Sequence, residues 1–560
     1  MIRPGAVMLF VVIAALALPA RPGWAANTEA PNAEAHGGHL AGGHAAAGGQ
    51  IGEVDFPTSC APGSQHRFNQ AVWLLHSFWY EESLKAFTAI TEAEPSCAMG
   101  YWGIAMSQWY PLWFPPSPAL LKSGAAAVAK GLEIPPKTER ERAYLDAIGR
   151  FYRDSDTLDH AARAVAYARA MAALHQLYPE DREATVFYAL ALDATWPPTD
   201  KSYANLKQAA ALLETVRAEQ PDHPGVIHYL IHSYDVPELA PEGLTAARRY
   251  AAIAPAVPHA QHMPSHIFTR LGLWSESIES NLIGHRVAVA YAEKTYGPGG
   301  YDQETVHTLD YLAYAYLQTA QDGAAKRVVD EVEALRKGPP PNLPIAYALA
   351  AIPARYALER RDWPAAASLA PSSGEFPWER FPWAAAMTSF ARALGAAHVG
   401  DRAAAQRELA LLQGLKDKLA DAKSDYWANQ VEVQRLGAAA VLAQVEGDFP
   451  RALELSAAAA TLEQSMDKHP ATPGAVLPAR ELRADLLLER NDAAAALQEY
   501  QGVLRTGPNR FRSVLGLARA AHLAGDDARA KAAYEQLVAL CADADTVRPE
   551  LAEARSFLTN

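Results

Sequence analysis

Near its C-terminus the chain repeats itself at a shift of 34 residues: Ala496, Tyr500 and Val503 recur as Ala530, Tyr534 and Leu537. The turns in front of them, Asn491-Asp492 and Gly525-Asp526, recur at the same shift. A unit of this length cannot bury its own apolar face, so copies must stack to build a continuous core. Within each copy the small, aromatic and aliphatic residues lie four and three apart, which puts them on one face of a helix. The small residue lets two antiparallel helices approach, and the aromatic fills the gap toward the next pair. Such a period predicts an all-α stack of helix pairs. No run of the chain sustains the period-two alternation a sheet would need.

With a Pro often closing the unit, this pattern resembles the tetratricopeptide repeat. Other copies appear in the same register: Tyr80, Ser83, Phe87 and Pro95; Tyr167, Met171 and Pro179; Ala209, Leu213 and Pro221; the turn at Gly272 with Trp274 and Ser277; and the turns Gly400-Asp401 before Ala405 and Gly447-Asp448 before Ala452. The expected fold is an all-α tetratricopeptide-type solenoid, a right-handed superhelix in one or two arrays. Gly338 to Pro341 is the best internal break, giving arrays over 59–336 and 345–560. Residues 111–137 depart from the repeat. First helices of such pairs line a concave groove that usually takes a peptide or protein, and this is the partner the fold class implies.

Met1 to Ala25 opens with Arg3, runs through an apolar stretch and ends in Gly23-Trp24-Ala25, the pattern of a cleavable secretory signal. A periplasmic or secreted protein is expected, with no membrane insertion after cleavage. Residues 26–58 follow as a Gly/Ala/His leader too poor in large apolar side chains to order itself. A formal charge of −13 argues against nucleic acid, which rewards a basic face. Three cysteines are few for an exported chain of this length. Cys60 and Cys97 lie near enough in sequence to staple the N-terminal cap, which leaves Cys541 as a small core residue.

Six of the 18 histidines fall between His223 and His266, under a tenth of the chain. His228, His232 and Asp235 are spaced four and three apart; His259, His262 and His266 three and four; His307 and Asp310 three. In the repeat register all fall in first helices, at positions that point into the groove. Imidazoles in this arrangement suit a divalent transition metal (copper, zinc, iron or manganese), with carboxylates as ligands or as acceptors that fix the imidazole tautomer. His232, His262 and His266 are the expected ligands, Asp235, His307 and Asp310 additional or orienting groups, and His228 and His259 flanking ones. His36, His39 and His44 in the leader add a composition able to catch loose metal. The competing explanation is a hydrogen-bonding network between neighbouring helices. His76, Trp102, Trp109 and Tyr110 also take groove positions, where they would stack on a ligand.

Asp222 to Asp235 and Pro258 to Phe268, together with Leu75 to Tyr80 and Tyr101 to Met106, resemble a family of exported bacterial tetratricopeptide-repeat proteins. The resemblance runs from about Cys60 to the C-terminal repeats and implies fold and compartment, not an activity. The sequence holds no His-Glu-x-x-His, Gly-x-Ser-x-Gly, phosphate-cradling glycine loop or Cys-x-x-Cys. Three functions therefore compete: a binding protein whose groove holds a ligand around the histidine patch, a metal-dependent enzyme using that patch, and a periplasmic metal-handling protein.

Overall fold

Four turns show how the sequence sets the repeat. Gly400, Gly447, Asn491 and Gly525 all adopt positive φ, and each is followed by an aspartate that caps the next helix. Asp401, Asp448, Asp492 and Asp526 accept from the backbone N–H three residues on, satisfying donors that a helix start leaves open. The helices they start include Ala493–Thr506 and Asp527–Leu540, which begin 34 residues apart. Ala496, Tyr500, Ala530 and Tyr534 are all buried. Close approach is built in: a Cβ on Gly516 would lie 2.1 Å from the Tyr500 ring, so only glycine lets that helix seat.

The computed structural model describes residues 52–559, apart from 113, 136–137 and 372–375. The signal, most of the leader and His36, His39 and His44 lie outside the described residues. Among those described there is no strand, only an isolated bridge between Gly300 and Lys337. Helices pair in sequence, and the first helices of successive pairs pack on one another: Arg182–Asp193, Pro224–Tyr234, Pro258–Arg270 (interrupted at Met263), Gln303–Gln318, Leu343–Glu359 and Pro382–His398. The architecture is an all-α helix-pair solenoid. No helix among the described residues is long and apolar enough to cross a membrane.

Four expectations need correction. The leader does not extend to residue 58, because Phe56 is fully buried among Phe68, Trp102 and Tyr144. The chain does not part at Gly338 to Pro341, since the described residues on both sides of it belong to one compact unit. Helix Gln303–Gln318 packs directly on Leu343–Glu359 across that stretch. The late repeats also return to the middle ones: Trp274 donates to the Asn509 carbonyl, Arg510 to the Tyr314 hydroxyl, the Phe511 N–H to Gln318 and Arg548 to Asp322.

Nor is the inner face an open groove at the histidines. The segment between helices Phe449–Gln464 and Ala479–Glu489 lies across it. Asp467 binds Lys201 and Tyr203, Lys468 binds Asp235, and Tyr311 donates to the Thr472 carbonyl. Further along, Tyr347 and Arg355 donate to the carbonyls of Gly474 and Ala475. His76, Trp102 and Trp109 are buried between helices rather than presented to a ligand, and Tyr110 is only half-buried, against Tyr80. Their aromatic area stabilises the N-terminal core: Trp102 meets Phe187 and Tyr144, and Trp109 meets Tyr167.

Cys60 and Cys97 form a disulfide that ties the chain ahead of the first helix to the start of the third; Cys541 is free and buried.

Candidate metal centre

Helix Pro224–Tyr234 starts at Pro224, whose missing N–H costs nothing in the first turn, and carries His228 and His232 one turn apart. Asp235 caps its end. The next first helix starts at Pro258, so His259, His262 and His266 share a face; Pro264 interrupts its hydrogen bonding without turning the chain aside. Helix Gln303–Gln318, opened by a capping box between Asp302 and Thr305, brings His307.

The six imidazoles meet as two trios, His228 with His232 and His259, and His262 with His266 and His307. Within each trio the potential ligand atoms lie within 4.8 Å of one another. His232 is partly exposed and the other five rings are buried. The pairs that face each other do so through Nε2: His228 to His232 at 3.1 Å, His228 to His259 at 3.1 Å and His262 to His266 at 3.0 Å.

On four of these rings the opposite nitrogen is taken. His228 Nδ1 lies 2.7 Å from the His76 carbonyl, one of the carbonyls that the end of helix Pro62–His76 leaves open. His262 Nδ1 lies 2.6 Å from Asn281 Oδ1, His266 Nδ1 2.9 Å from Asp235 and His259 Nδ1 3.3 Å from Glu304. A carbonyl or carboxylate only accepts, so each of these rings carries its proton on Nδ1 and turns a bare Nε2 inward. Asn281 is oriented by its own amide, which donates to the Ser277 carbonyl and leaves Oδ1 for His262.

Two bare Nε2 atoms about 3 Å apart repel unless a proton or a cation lies between them. Burial opposes the proton, lowering the pKa of His228, His232, His262 and His307 below that of a free imidazole and that of His266 to about 4. A cation fits. An ion about 2.0–2.1 Å from two nitrogens 3.0–3.1 Å apart subtends about 95°, within reach of tetrahedral or square coordination. Donation of Nδ1–H to carboxylate, carbonyl or amide oxygen is the arrangement that orients metal-binding histidines.

The expected ligand set is thus redistributed. His232 does not share a trio with His262 and His266, whereas His228, His259 and His307 each complete one. Asp235 is not placed as a ligand: burial raises its pKa, but Lys468 and Arg270, each 2.8 Å away, overcome this and hold the carboxyl below its ordinary range while it orients His266. Asp310 belongs to neither trio. It lies 3.6 Å from Arg355 in the core, where burial outweighs the guanidinium and lifts its pKa to about 6.

A third group, His76, Glu183 and His223, looks similar in composition and reads differently. Both rings donate Nε2–H to Glu183, at 2.8 and 2.9 Å. His223 Nδ1 accepts the Val226 N–H, and His76 Nδ1 pairs with the Tyr229 hydroxyl. Every donor there meets an acceptor, so the network is closed without an ion. Sequence reasoning missed this trio because its members come from three distant helices. It missed Asn281 for the same reason, and the Glu304-x-x-His307 spacing, which suits a carboxylate-bridged iron site, pointed to a ligand on that helix rather than to the contact Glu304 makes with His259.

Beside the centre, a cavity of about 680 Å³ is lined by Tyr347, Trp383, Trp427, Lys201 and Arg480, with Lys468 and Arg270 on its wall toward the histidines. A separate space of about 20 Å³ reaches His232, Asp235 and Lys468.

No protein-family model and no curated protein matches this chain. Among solved structures it aligns with the human IFIT1 dimer with m7Gppp-AAAA at 11% identity, over 80% of this chain and 90% of that one, with a TM-score of 0.33. The human IFIT1 dimer with PPP-AAAA gives 12%, 87%, 96% and 0.35, and yeast Tom70 gives 12%, 89%, 95% and 0.27. Likeness at these scores says nothing about what the chain binds.

Proposed function

We propose that this protein is an exported helical solenoid that holds transition-metal ions on His228, His232, His259, His262, His266 and His307. The observation that carries the proposal is the facing of bare Nε2 atoms on His228, His259, His262 and His266, each with its Nδ1 committed to an acceptor. Neutral imidazole nitrogen favours copper, zinc or iron over calcium or magnesium. Export is supported by the N-terminal signal pattern and by the Cys60–Cys97 bridge, which suits an oxidising compartment. A kinship with exported bacterial tetratricopeptide-repeat proteins fits the same picture.

Metal content measured on protein purified without a His tag tests this. Stoichiometric metal is expected, together with its loss in His262→Ala/His266→Ala and a helical spectrum that stays intact. Added metal should raise the melting temperature of the wild type and not of the double variant, because a ligand of the folded state stabilises it by mass action. Protein that purifies metal-free and gains no thermal stability from copper, zinc, iron or manganese would make the cluster a hydrogen-bonding network.

A metal-dependent enzyme is the second reading, favoured by one feature: three nitrogen ligands leave a coordination position open, as catalytic sites do. A peptide or protein ligand would have to use the 680 Å³ cavity, because the chain's own residues 467–475 cover the histidine face.

A further inference from the structure

The two trios are not separate sites that happen to be close. The His232 ring lies 6.0 Å from that of His266, and the His259 ring 6.1 Å from that of His262. These separations match the longest inside each trio, 6.3 Å for His232 to His259 and 5.9 Å for His266 to His307, while the other ring pairs within the trios are closer, at 4.3–5.0 Å. Both sets of nitrogens therefore open into one chamber.

The charge in that chamber does not balance by itself. All six candidate ligands are neutral. Asp235 and Glu304 are engaged with Nδ1 atoms, and Asp235 already faces Lys468 and Arg270. Two divalent ions held here would bring their full charge into a buried volume, which is costly unless an anion accompanies them. Each ion would also keep an open position directed into the shared chamber. A single anion between the two fills both open positions and offsets part of that charge. Five of the six rings are buried, and the space of about 20 Å³ that reaches the cluster touches only His232 among them, so it admits a water and nothing larger.

We infer that the six histidines form one dinuclear centre, in which two metal ions share a bridging hydroxide derived from water. This rests on the metal binding proposed above. Formation is balanced: a water enters between the ions, its oxygen binds both, and the proton it loses leaves to solvent. Bridging lowers the pKa of that water as metal coordination generally does.

Chelator-stripped protein titrated with Cu(II) gives a direct readout, copper bound per chain against integrated electron-spin signal. Two coppers per chain with a spin signal well below the copper content are expected, because ions joined through one oxygen couple magnetically. Loading one Zn(II) and one Cu(II) should restore the full signal of the bound copper, and His228→Ala should bind a single uncoupled copper. Two coppers with full spin intensity would overturn the shared bridge while leaving metal binding intact. One copper per chain in the wild type would overturn the dinuclear centre. No bound copper, zinc, iron or manganese would overturn metal binding itself. The mixed-metal measurement uses the wild-type chain, so it decides the matter even if His228→Ala fails to fold.

Discussion

Arg510→Met removes a cation that three parts of the solenoid share. The guanidinium is 1% exposed and donates to Glu481 at 2.7 and 2.9 Å. It touches Glu359 at 2.5 Å and donates to the Tyr314 hydroxyl at 3.2 Å. These partners belong to helices Ala479–Glu489, Leu343–Glu359 and Gln303–Gln318, the last of which delivers His307. Methionine fills the volume but strands two carboxylates that are 0–1% exposed. Keeping one of them protonated at pH 7, from an ordinary value near 4.3, costs about 3.7 kcal/mol. Keeping both protonated costs about 7, so a loss of about 4–7 kcal/mol is expected, at or above the usual range for one broken buried pair. The pH dependence has a definite sign. The stranded groups have raised values in the folded variant, so its folded state binds more protons than its unfolded state. The deficit should be largest at neutral pH and shrink as pH falls toward 4.3. Urea unfolding of wild type and variant at pH 7.5 and 5.5 measures both quantities, and amide exchange in residues 303–318 reports whether the His307 helix loosens. Arg510→Met/Glu359→Gln/Glu481→Gln should recover much of the loss. A deficit under about 1 kcal/mol, or one that does not change with pH, would mean the triad is not the buried electrostatic knot described here.

Two further outcomes follow from the cluster and the cap. In metal-free protein His228, His232, His262, His266 and His307 titrate below their unfolded value of 6.5, so stability contributed by their neutral forms is lost as pH falls from 6.5 toward the folded value, which is about 4 for His266. Glu463 and Asp310, raised by burial to about 7 and 6, act in the opposite sense, so the test is differential. Between pH 7.5 and 5, His266→Gln should lose about 2 kcal/mol less than wild type in urea unfolding, and equal losses would contradict a neutral buried His266. Replacing Cys60 and Cys97 by Ser frees a loop closed over a separation of 37 residues and should cost about 4 kcal/mol in the chain-entropy model. Unfolding of the two forms under non-reducing conditions measures it, and an unchanged midpoint would show that the bridge does not constrain the unfolded chain.

Much of the fold was legible because its cause is local. The left-handed turn at Gly525, the cap at Asp526 and the buried Ala530 and Tyr534 lie within ten residues of one another, and the 34-residue period repeats the set at Asn491 to Tyr500. The histidine faces were legible for the same reason, since three-and-four spacing fixes a helix face whatever surrounds it. What sequence could not supply is which helix each face meets. His228 pairs with His259 rather than with the second trio because of how two first helices cross. His76 leaves the ligand-facing set because Glu183 and Tyr229, more than a hundred residues away, claim both its nitrogens. Lys468 gave no local signal at all, and its role depends on a contact with Asp235 across 233 residues.

The segment from Asp467 to Ala475 has a consequence for the order of events. A chain that emerges from its N-terminus completes the three helices that carry the six histidines well before Lys468 and Thr472 exist to cover them. The chamber is therefore accessible early and shut late. Any ion it holds in the finished protein entered before closure, or enters and leaves only when that segment lifts. Exchange of the ion should keep pace with the local opening of residues 467–475, not with the much rarer unfolding of the helices that bear the ligands.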